Sequence, residues 1–235
     1  MGIINFNEEK SMRMERATEF AKALAESIPG SEHLNEMSSG ILFNPYRDKC
    51  LHDIDEMAPT SRLGRLARHL DCDARFILVG EAPGYRGCRY SGIAFTSEHF
   101  LMGGMIPRLP KTGRLTDRNI PFSEPSAHTV WGTLYQMGIA EHTVLWNAVQ
   151  LHPHEIGNAW SNRTPSKKEV AHGRAALHLL HEAFPDAKII AVGKKADTAL
   201  NNAGIKTLAV IRHPSFGGAV EFSDGPSAAV KQAKS

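Results

Sequence analysis

The sequence predicts an α/β protein, a three-layer α/β/α sandwich around a central four-stranded parallel sheet, and three observations carry that prediction. Four short apolar runs have the length of buried strands: residues 75–79, 143–146, 188–192 and 207–211. Segments with helical spacing separate them, at residues 127–137, 166–183 and 194–202. Such alternation of strand and helix favours a parallel sheet covered on both faces. Turn-rich sequence follows the first, second and fourth runs, at residues 80–92, 147–163 and 212–218. In an open parallel sheet the carboxyl ends of the strands line the ligand crevice, so these three segments converge at one edge.

Each element has its own local reason. Met14, Ala17, Phe20, Ala21, Leu24 and Ile28 recur at helical spacing until Pro29-Gly30 stops the pattern, which makes residues 1–40 a helical leader to a single domain spanning residues 1–235. Residues 61–70 read as a short helix leading into Arg75-Phe76-Ile77-Leu78-Val79, the first core strand. The third strand ends in Gly193 and runs straight into a helix, an arrangement that reads as structural. Asn162-Arg163-Thr164-Pro165-Ser166 looks like a helix start, with Thr164 or Ser166 as cap.

Composition narrows the function classes. A chain of 235 residues that is 42% hydrophobic and 22% charged buries an ordinary globular core. It contains no apolar run near the roughly 18 residues of a membrane span. The amino terminus lacks a basic start and apolar stretch, so a cytoplasmic monomer is expected. Cys50, Cys72 and Cys88 are widely spaced and odd in number, which argues for free thiols rather than a disulfide framework or a metal knuckle. The net charge of +2 permits a locally basic nucleic-acid face without demanding one.

Chemistry concentrates at the strand ends. Gly80-Glu81-Ala82-Pro83-Gly84 packs glycines and a proline behind a strand, so the backbone can turn sharply against a ligand, yet its spacing matches neither a dinucleotide fingerprint nor a Walker loop. Alone it is a weak signal, with a plain structural turn as the competing reading. Ser91-Gly92-Ile93-Ala94-Phe95-Thr96-Ser97-Glu98 follows it, Leu145-Trp146-Asn147-Ala148-Val149 ends the second strand, and Arg212-His213-Pro214-Ser215 ends the fourth. Taken together, over roughly residues 40–220, these resemble the motif set of the uracil-DNA glycosylase superfamily. The likeness is greatest to bacterial members with a Gly-Glu-Ala-Pro-Gly first motif.

The resemblance implies a monofunctional DNA glycosylase that flips a uracil or a C5-modified pyrimidine out of the stack and hydrolyses its N-glycosidic bond, leaving an abasic site. Its setting would be base-excision repair or defence against modified phage DNA, with DNA as partner and no cofactor. Gly80, Ala82, Pro83 and Gly84 would form the base-facing loop, Phe95 the stacking ring and Asn147 the amide that reads the base edge. His213 would stabilise the anion left on the base and need not be protonated for that, while Ser215 would touch a phosphate. Phe216 would either wedge into the vacated stack or pack beneath its loop. Arg86, Arg89 and Arg163, with Lys167 and Lys168, would contact phosphates, although a solvated charge run is the competing reading for the lysines.

Departures from the family pattern matter as much. Ala82 stands where uracil-specific relatives carry a water-positioning carboxylate, which shifts that role toward Glu81 and Asn147. Gly84 stands where a tyrosine closes off C5 of the base, leaving space there. Iron-sulfur relatives carry four cysteines including a Cys-x-x-Cys pair, so no cluster is expected here. His152-Pro153-His154 has metal-like spacing, but the resemblance places it on a surface loop. No lysine falls at a predicted strand end facing the site, which favours hydrolysis over a lyase reaction. The loss of the carboxylate at Ala82 leaves one different class open, a catalytically silent DNA-binding or base-sensing module.

Overall fold

The computed structural model of the chain describes residues 6–28, 41–215, 217–218, 222 and 225–226. In chain order they form helix α1 (Phe6–Ser27), strand β1 (Ile41–Phe43), helix α2 (Ala58–Leu70) and strand β2 (Phe76–Gly80). Two short helices follow, α3 (Cys88–Ser91) and α4 (Glu98–Gly103), then α5 (Pro125–Gln136), a 3₁₀ turn (Ala140–His142), β3 (Thr143–Asn147) and β4 (His152–His154). The remainder is α6 (Lys167–His172), α7 (Arg174–Ala183), β5 (Lys188–Val192), α8 (Lys194–Asn202) and β6 (Ala209–Ile211).

The predicted four-stranded parallel sheet is present, with spatial order β3-β2-β5-β6. Strand alternation sends its apolar side chains to two opposite cores. Ile77, Val79, Val144, Trp146, Ile189 and Ala191 pack with Leu24 of α1, Leu66 of α2, Leu177 of α7 and Leu200 of α8. Phe76, Leu78, Leu145, Ile190 and Val192 pack instead with Val130, Trp131 and Leu134 of α5. Burial on both faces explains why β2 and β3 are apolar at nearly every position and show no polar alternation.

β3 is an edge strand, and its outward backbone groups are covered. The Leu145 N–H donates to His69 Nε2 at 2.9 Å, and the Thr143 carbonyl accepts from Arg108 at 3.3 Å. A second device fixes the long excursion between α4 and α5. The Glu98 carboxylate, fully buried, accepts from Arg114 (2.8 Å), from the backbone N–H groups of Leu115 (2.9 Å), Thr116 (3.3 Å) and Phe122 (3.0 Å), and from the Thr116 hydroxyl (2.9 Å). Burial alone would raise this carboxyl, but Arg114 and the surrounding N–H and O–H donors hold it below the ordinary value.

Three details differ from expectation. The helix expected over residues 166–183 is two, α6 and α7, meeting at Gly173, where any Cβ would overlap the carbonyl oxygen of Ala148. Bare backbone is required for the helices to lie against the chain leaving β3. The last strand is shorter than residues 207–211, with register partners only from Ile190 to Val192, although the Leu208 N–H still donates to the Ile189 carbonyl at 2.7 Å. Finally, His152-Pro153-His154 is no surface loop: it is a buried strand paired antiparallel with β1, Leu42 opposite Pro153. His152 is held there by Arg89 at Nδ1 (2.8 Å) and by the Ser161 carbonyl and Asn162 Oδ1 at Nε2 (3.0 and 3.1 Å). Among the described residues no helix is long and apolar enough to cross a membrane.

Two predictions follow from these buried polar groups. Burial pushes His69 well below the ordinary histidine value of 6.5 and, with Arg89 alongside, pushes His152 down to about 3. Both stay neutral in the fold while the unfolded chain takes up protons, so stability is full above 6.5 and declines as pH falls below it. The urea midpoint should therefore be lower at pH 5 than at pH 7.5, a range that avoids most carboxyl titration; an equal or higher midpoint at pH 5 contradicts the reading. Replacing the buried carboxylate, Glu98→Ala, should cost on the order of 3–5 kcal/mol by denaturant unfolding, because it strands Arg114 and several buried donors.

Candidate active-site cleft

The carboxyl ends of β2, β3, β5 and β6 surround a cleft of about 570 Å³. Gly80 and Asn147 face each other as the last partners of the β2–β3 ladder, and the bonds Ala148 N–H to Gly80 O (2.8 Å) and Val149 N–H to Glu81 O (2.9 Å) carry the pairing onward. A Cβ on Gly80 would lie 2.6 Å from Phe95 Cζ and 3.0 Å from Asn147 Oδ1. The missing side chain is therefore what lets the phenyl ring and the amide approach one another across the strand end. Phe95 adopts φ +50, a left-handed conformation costing on the order of 1 kcal/mol for a side chain of this size. Its segment is pinned by the bond from Trp131 Nε1 to the Thr96 hydroxyl (3.1 Å).

Asn147 is 6% exposed and is buttressed from behind. Its backbone carbonyl accepts from Gln150 (2.8 Å), and the Cys88 thiol lies beside its side-chain amide. Burial pushes that thiol far up, so Cys88 stays protonated and acts as packing for the amide.

His213 completes the group, its ring 5.8 Å from that of Phe95 between centroids. The Ser215 N–H donates to His213 Nδ1 at 3.1 Å. Nδ1 is then an acceptor and the single proton of the neutral ring sits on Nε2, available as a donor. Burial lowers the affinity of His213 for a second proton. Two glycines make the seat: Gly193, at φ +91, lies under the His213 side chain, and a Cβ on Gly218 would overlap the His213 carbonyl.

The first motif occupies one wall. Ala82, Pro83 and Gly84 line the cleft, with the Tyr85 N–H tied to Asn162 Oδ1 at 3.0 Å. The Glu81 carboxylate lies at the cleft side in an ion pair with Lys195 (3.0 Å), which also donates to Thr164 (3.0 Å). Lys195 corrects an expectation: the end of β5 is not merely structural, since Val192, Gly193, Lys194 and Lys195 all line the cleft. A lysine thus does follow a strand end at the site. Lys194 is exposed, and Lys195 is shared between Glu81 and Thr164; neither is the desolvated amine that Schiff-base chemistry needs.

The expected phosphate contacts divide. Arg86 is exposed and, with Arg118, borders a second recess of about 380 Å³ floored by Phe122 and built from residues flanking Gly84 and Glu124 in sequence. Arg89 is an interior residue, 3% exposed, stacked 3.8 Å over the Phe43 ring and bonded to His152, so it does not reach a phosphate. Arg163 is likewise committed, holding Glu169 through two 2.8 Å bonds and the His154 carbonyl at 3.3 Å. Glu169 in turn closes the capping box of α6 with Ser166. Lys167 lines a neighbouring pocket and Lys168 is exposed. Ser215 lines the cleft. Phe216 lies outside the described residues.

Several lining residues escaped the sequence reading: Cys88, Glu124, Ser126, Asn162, Lys194 and Lys195. Two of them carried a local signal, Glu124 just before the helix-opening Pro125 and Asn162 at the head of Asn162-Arg163-Thr164-Pro165, and both read as helix starts.

Comparison with known proteins places the chain in a family and a fold. The profile of the uracil DNA glycosylase superfamily matches residues 67–230. No curated protein sequence matches the chain. Among solved structures, the crystal structure of wild-type Pedobacter heparinus SMUG2 is similar at a TM-score of 0.60 and 16% identity, covering 92% of this chain and 98% of that one. At that identity the likeness is one of fold.

The tightness at Gly80 is open to measurement. Gly80→Ala should destabilise the protein by about 1–3 kcal/mol through overpacking against Phe95 and Asn147. A thermal midpoint equal to that of the parent would show the ring and amide to be free to move apart.

Proposed function

The chain belongs to the uracil DNA glycosylase superfamily, and on that premise we propose that it is a monofunctional DNA glycosylase acting on a flipped uracil or C5-modified pyrimidine. The observation that carries this reading is the convergence of Phe95, Asn147 and a neutral His213 with its proton on Nε2 around one cleft. The extruded base stacks on Phe95, and the Asn147 amide pairs with its edge. As the bond from the sugar to the base breaks, its electron pair moves onto the base, and His213 Nε2–H donates to the oxygen where that charge collects. A neutral donor suits this role because it strengthens as the oxygen becomes anionic and gives up no proton. The sugar is left as an oxocarbenium-like cation, which water attacks to give an abasic site, the proton that water releases passing to the departed base anion. Little activation of that water is required, so Asn147 and the Lys195-paired Glu81 can orient it in place of the carboxylate that Ala82 lacks.

Arg86, Lys194 and Ser215 supply the groups for backbone phosphates around the cleft mouth, and Arg118 joins them. Removal of an altered pyrimidine fits base-excision repair; the space beside Gly84 supports the wider range of bases that defence against modified phage DNA would demand.

A labelled duplex carrying one uracil, incubated with the protein and then treated with alkali, should break at the target position. DNA binding with no abasic product would instead favour a silent base-sensing module. Under single turnover, Asn147→Ala and His213→Ala should each slow release by about 10²–10³-fold. The pH profile tests the His213 state separately. Because burial lowers its pKa below 6.5, the neutral donor persists as pH falls past that value. The rate should hold level from about pH 8 to 6.5 and decline only at lower pH, and a midpoint at or above 6.5 would contradict a neutral His213.

A further inference from the structure

The recess bordered by Arg86 and Arg118 is more than a basic rim. Its volume of about 380 Å³ is that of a small-ligand pocket. Phe122 forms the floor and is backed by Tyr90, whose ring stacks on it at 5.3 Å and 14°. Tyr85 and Trp160 stand at 83° and 82° to that floor, with centroids 5.8 and 5.7 Å from it, so the two rings rise as walls. Trp160 is 36% exposed and nevertheless fixed. Its indole N–H donates to the Tyr90 hydroxyl at 2.9 Å, its backbone N–H donates to Asn158 Oδ1 at 3.2 Å, and its ring lies 4.3 Å from that of His52. A ring held open to solvent from behind loses little freedom when a ligand stacks on it.

Two cations attend these rings. The Arg118 guanidinium lies 3.9 Å over Phe122 and 5.3 Å from the Trp160 centroid. Arg86 lies 5.3 Å over the Tyr85 ring and donates to its hydroxyl at 2.8 Å. Neither is in an ion pair with a carboxylate among the described residues. Aromatic faces suit a flat ring, while the two guanidinium groups attract negative charge and repel a cationic guest. Flat ring and negative charge together describe an unpaired nucleotide.

The recess adjoins the cleft along three chain segments. Gly84, Glu124 and Asn162 line the cleft, and Tyr85, Ser123 and Trp160, one or two residues away in sequence, line the recess. The bond from the Tyr85 N–H to Asn162 Oδ1 at 3.0 Å ties two of these segments together. Neighbouring nucleotides of one strand can therefore occupy both.

We infer that the recess binds the base of an unpaired nucleotide next to the target in the same strand, stacked against Tyr85, Phe122 and Trp160, with its phosphate held by Arg86 and Arg118. The Arg118 guanidinium moves off the floor as the base enters, since both cannot use one face of Phe122. The position beside the target rests on the proposed function; the stacking of an unpaired base does not. Watson–Crick pairing keeps the neighbour inside the helix, so the recess adds affinity only where the strand around the target is open.

The test measures binding of short single strands that carry a stable abasic analogue at the target position, so that no base enters the cleft and no bond can break. The neighbour on either side is 2-aminopurine or a second abasic analogue. The parent should bind the 2-aminopurine strand about 10-fold more tightly than the doubly abasic one, for one side only, with quenched 2-aminopurine fluorescence. Trp160→Ala should erase both the preference and the quenching, and Trp160→Phe should keep most of the preference. Arg118→Ala should weaken all strands and reduce the salt dependence by about one phosphate contact. Equal binding whatever the neighbour overturns the recess, as does a preference that is the same on both sides or survives Trp160→Ala. Pairing the neighbour with a complementary strand should remove the preference, and its persistence in the duplex likewise overturns the inference. Should Trp160→Ala not fold, Tyr85→Ala removes the other wall and is read in the same way. If the parent releases no uracil from DNA, the proposed function fails, and these binding ratios, which involve no base release, still decide the recess.

Discussion

The cleft depends on there being nothing at the end of β2. Gly80 faces Asn147 in register, and the space its side chain would occupy is shared by the Phe95 ring and the Asn147 amide. With any larger residue the strand ends would still pair, but ring and amide could not both stand at the same rim. From that approach the other parts take their places. Phe95 accepts a left-handed backbone to present its ring, Cys88 and Gln150 steady Asn147 from behind, and His213 comes to rest on Gly193 within reach of the phenyl ring.

Much of the polar interior serves to hold loops and not to do chemistry. Arg62 pairs with Asp53 in full burial, Arg65 binds the carbonyls of Ser91 and Tyr90 at 2.6 and 3.0 Å, and Arg163 and Glu169 bind each other. These groups are costly to desolvate, and they are repaid only where several hydrogen bonds converge. Here they converge on the segments that follow β1, β2 and β4, the stretches without regular structure that must nevertheless be fixed in position. The same logic explains why His69, His152 and His213 are neutral: each uses one ring nitrogen as an acceptor for a backbone or guanidinium N–H, which leaves no site for a second proton.

The sheet, its parallel sense and the edge where the motifs meet were legible in the sequence, because buried parallel strands are short apolar runs and their connecting helices have a clear period. Phe95, Asn147 and His213 were legible as well, each lying in a quoted motif and each placed on the cleft. Arginines were not. Arg86, Arg89 and Arg163 carry the same charge in the text, and only tertiary context shows that Arg89 lies over Phe43 and that Arg163 is bound to Glu169 while Arg86 is exposed. The β1–β4 pairing was hidden because His152-Pro153-His154 has neither alternation nor strand propensity, its strand state being enforced by contacts from residues 89, 161 and 162. Lys195 and Glu124 were missed because one follows a strand thought purely structural and the other reads as a helix start.

Glu98 anchors the excursion that leads from α4 to Glu124 and α5. Its bonds go to residues 114, 115, 116 and 122, while Arg108 in the same excursion ties it to the Thr143 carbonyl of β3. The wall of the cleft that carries Glu124 therefore hangs on two anchors, the Glu98 carboxylate outside the sheet and Arg108 on the edge strand. Changes in the excursion that spare Arg108, Arg114 and Glu98 can therefore reshape one wall of the cleft while the strand ends that carry Asn147 and His213 stay in place.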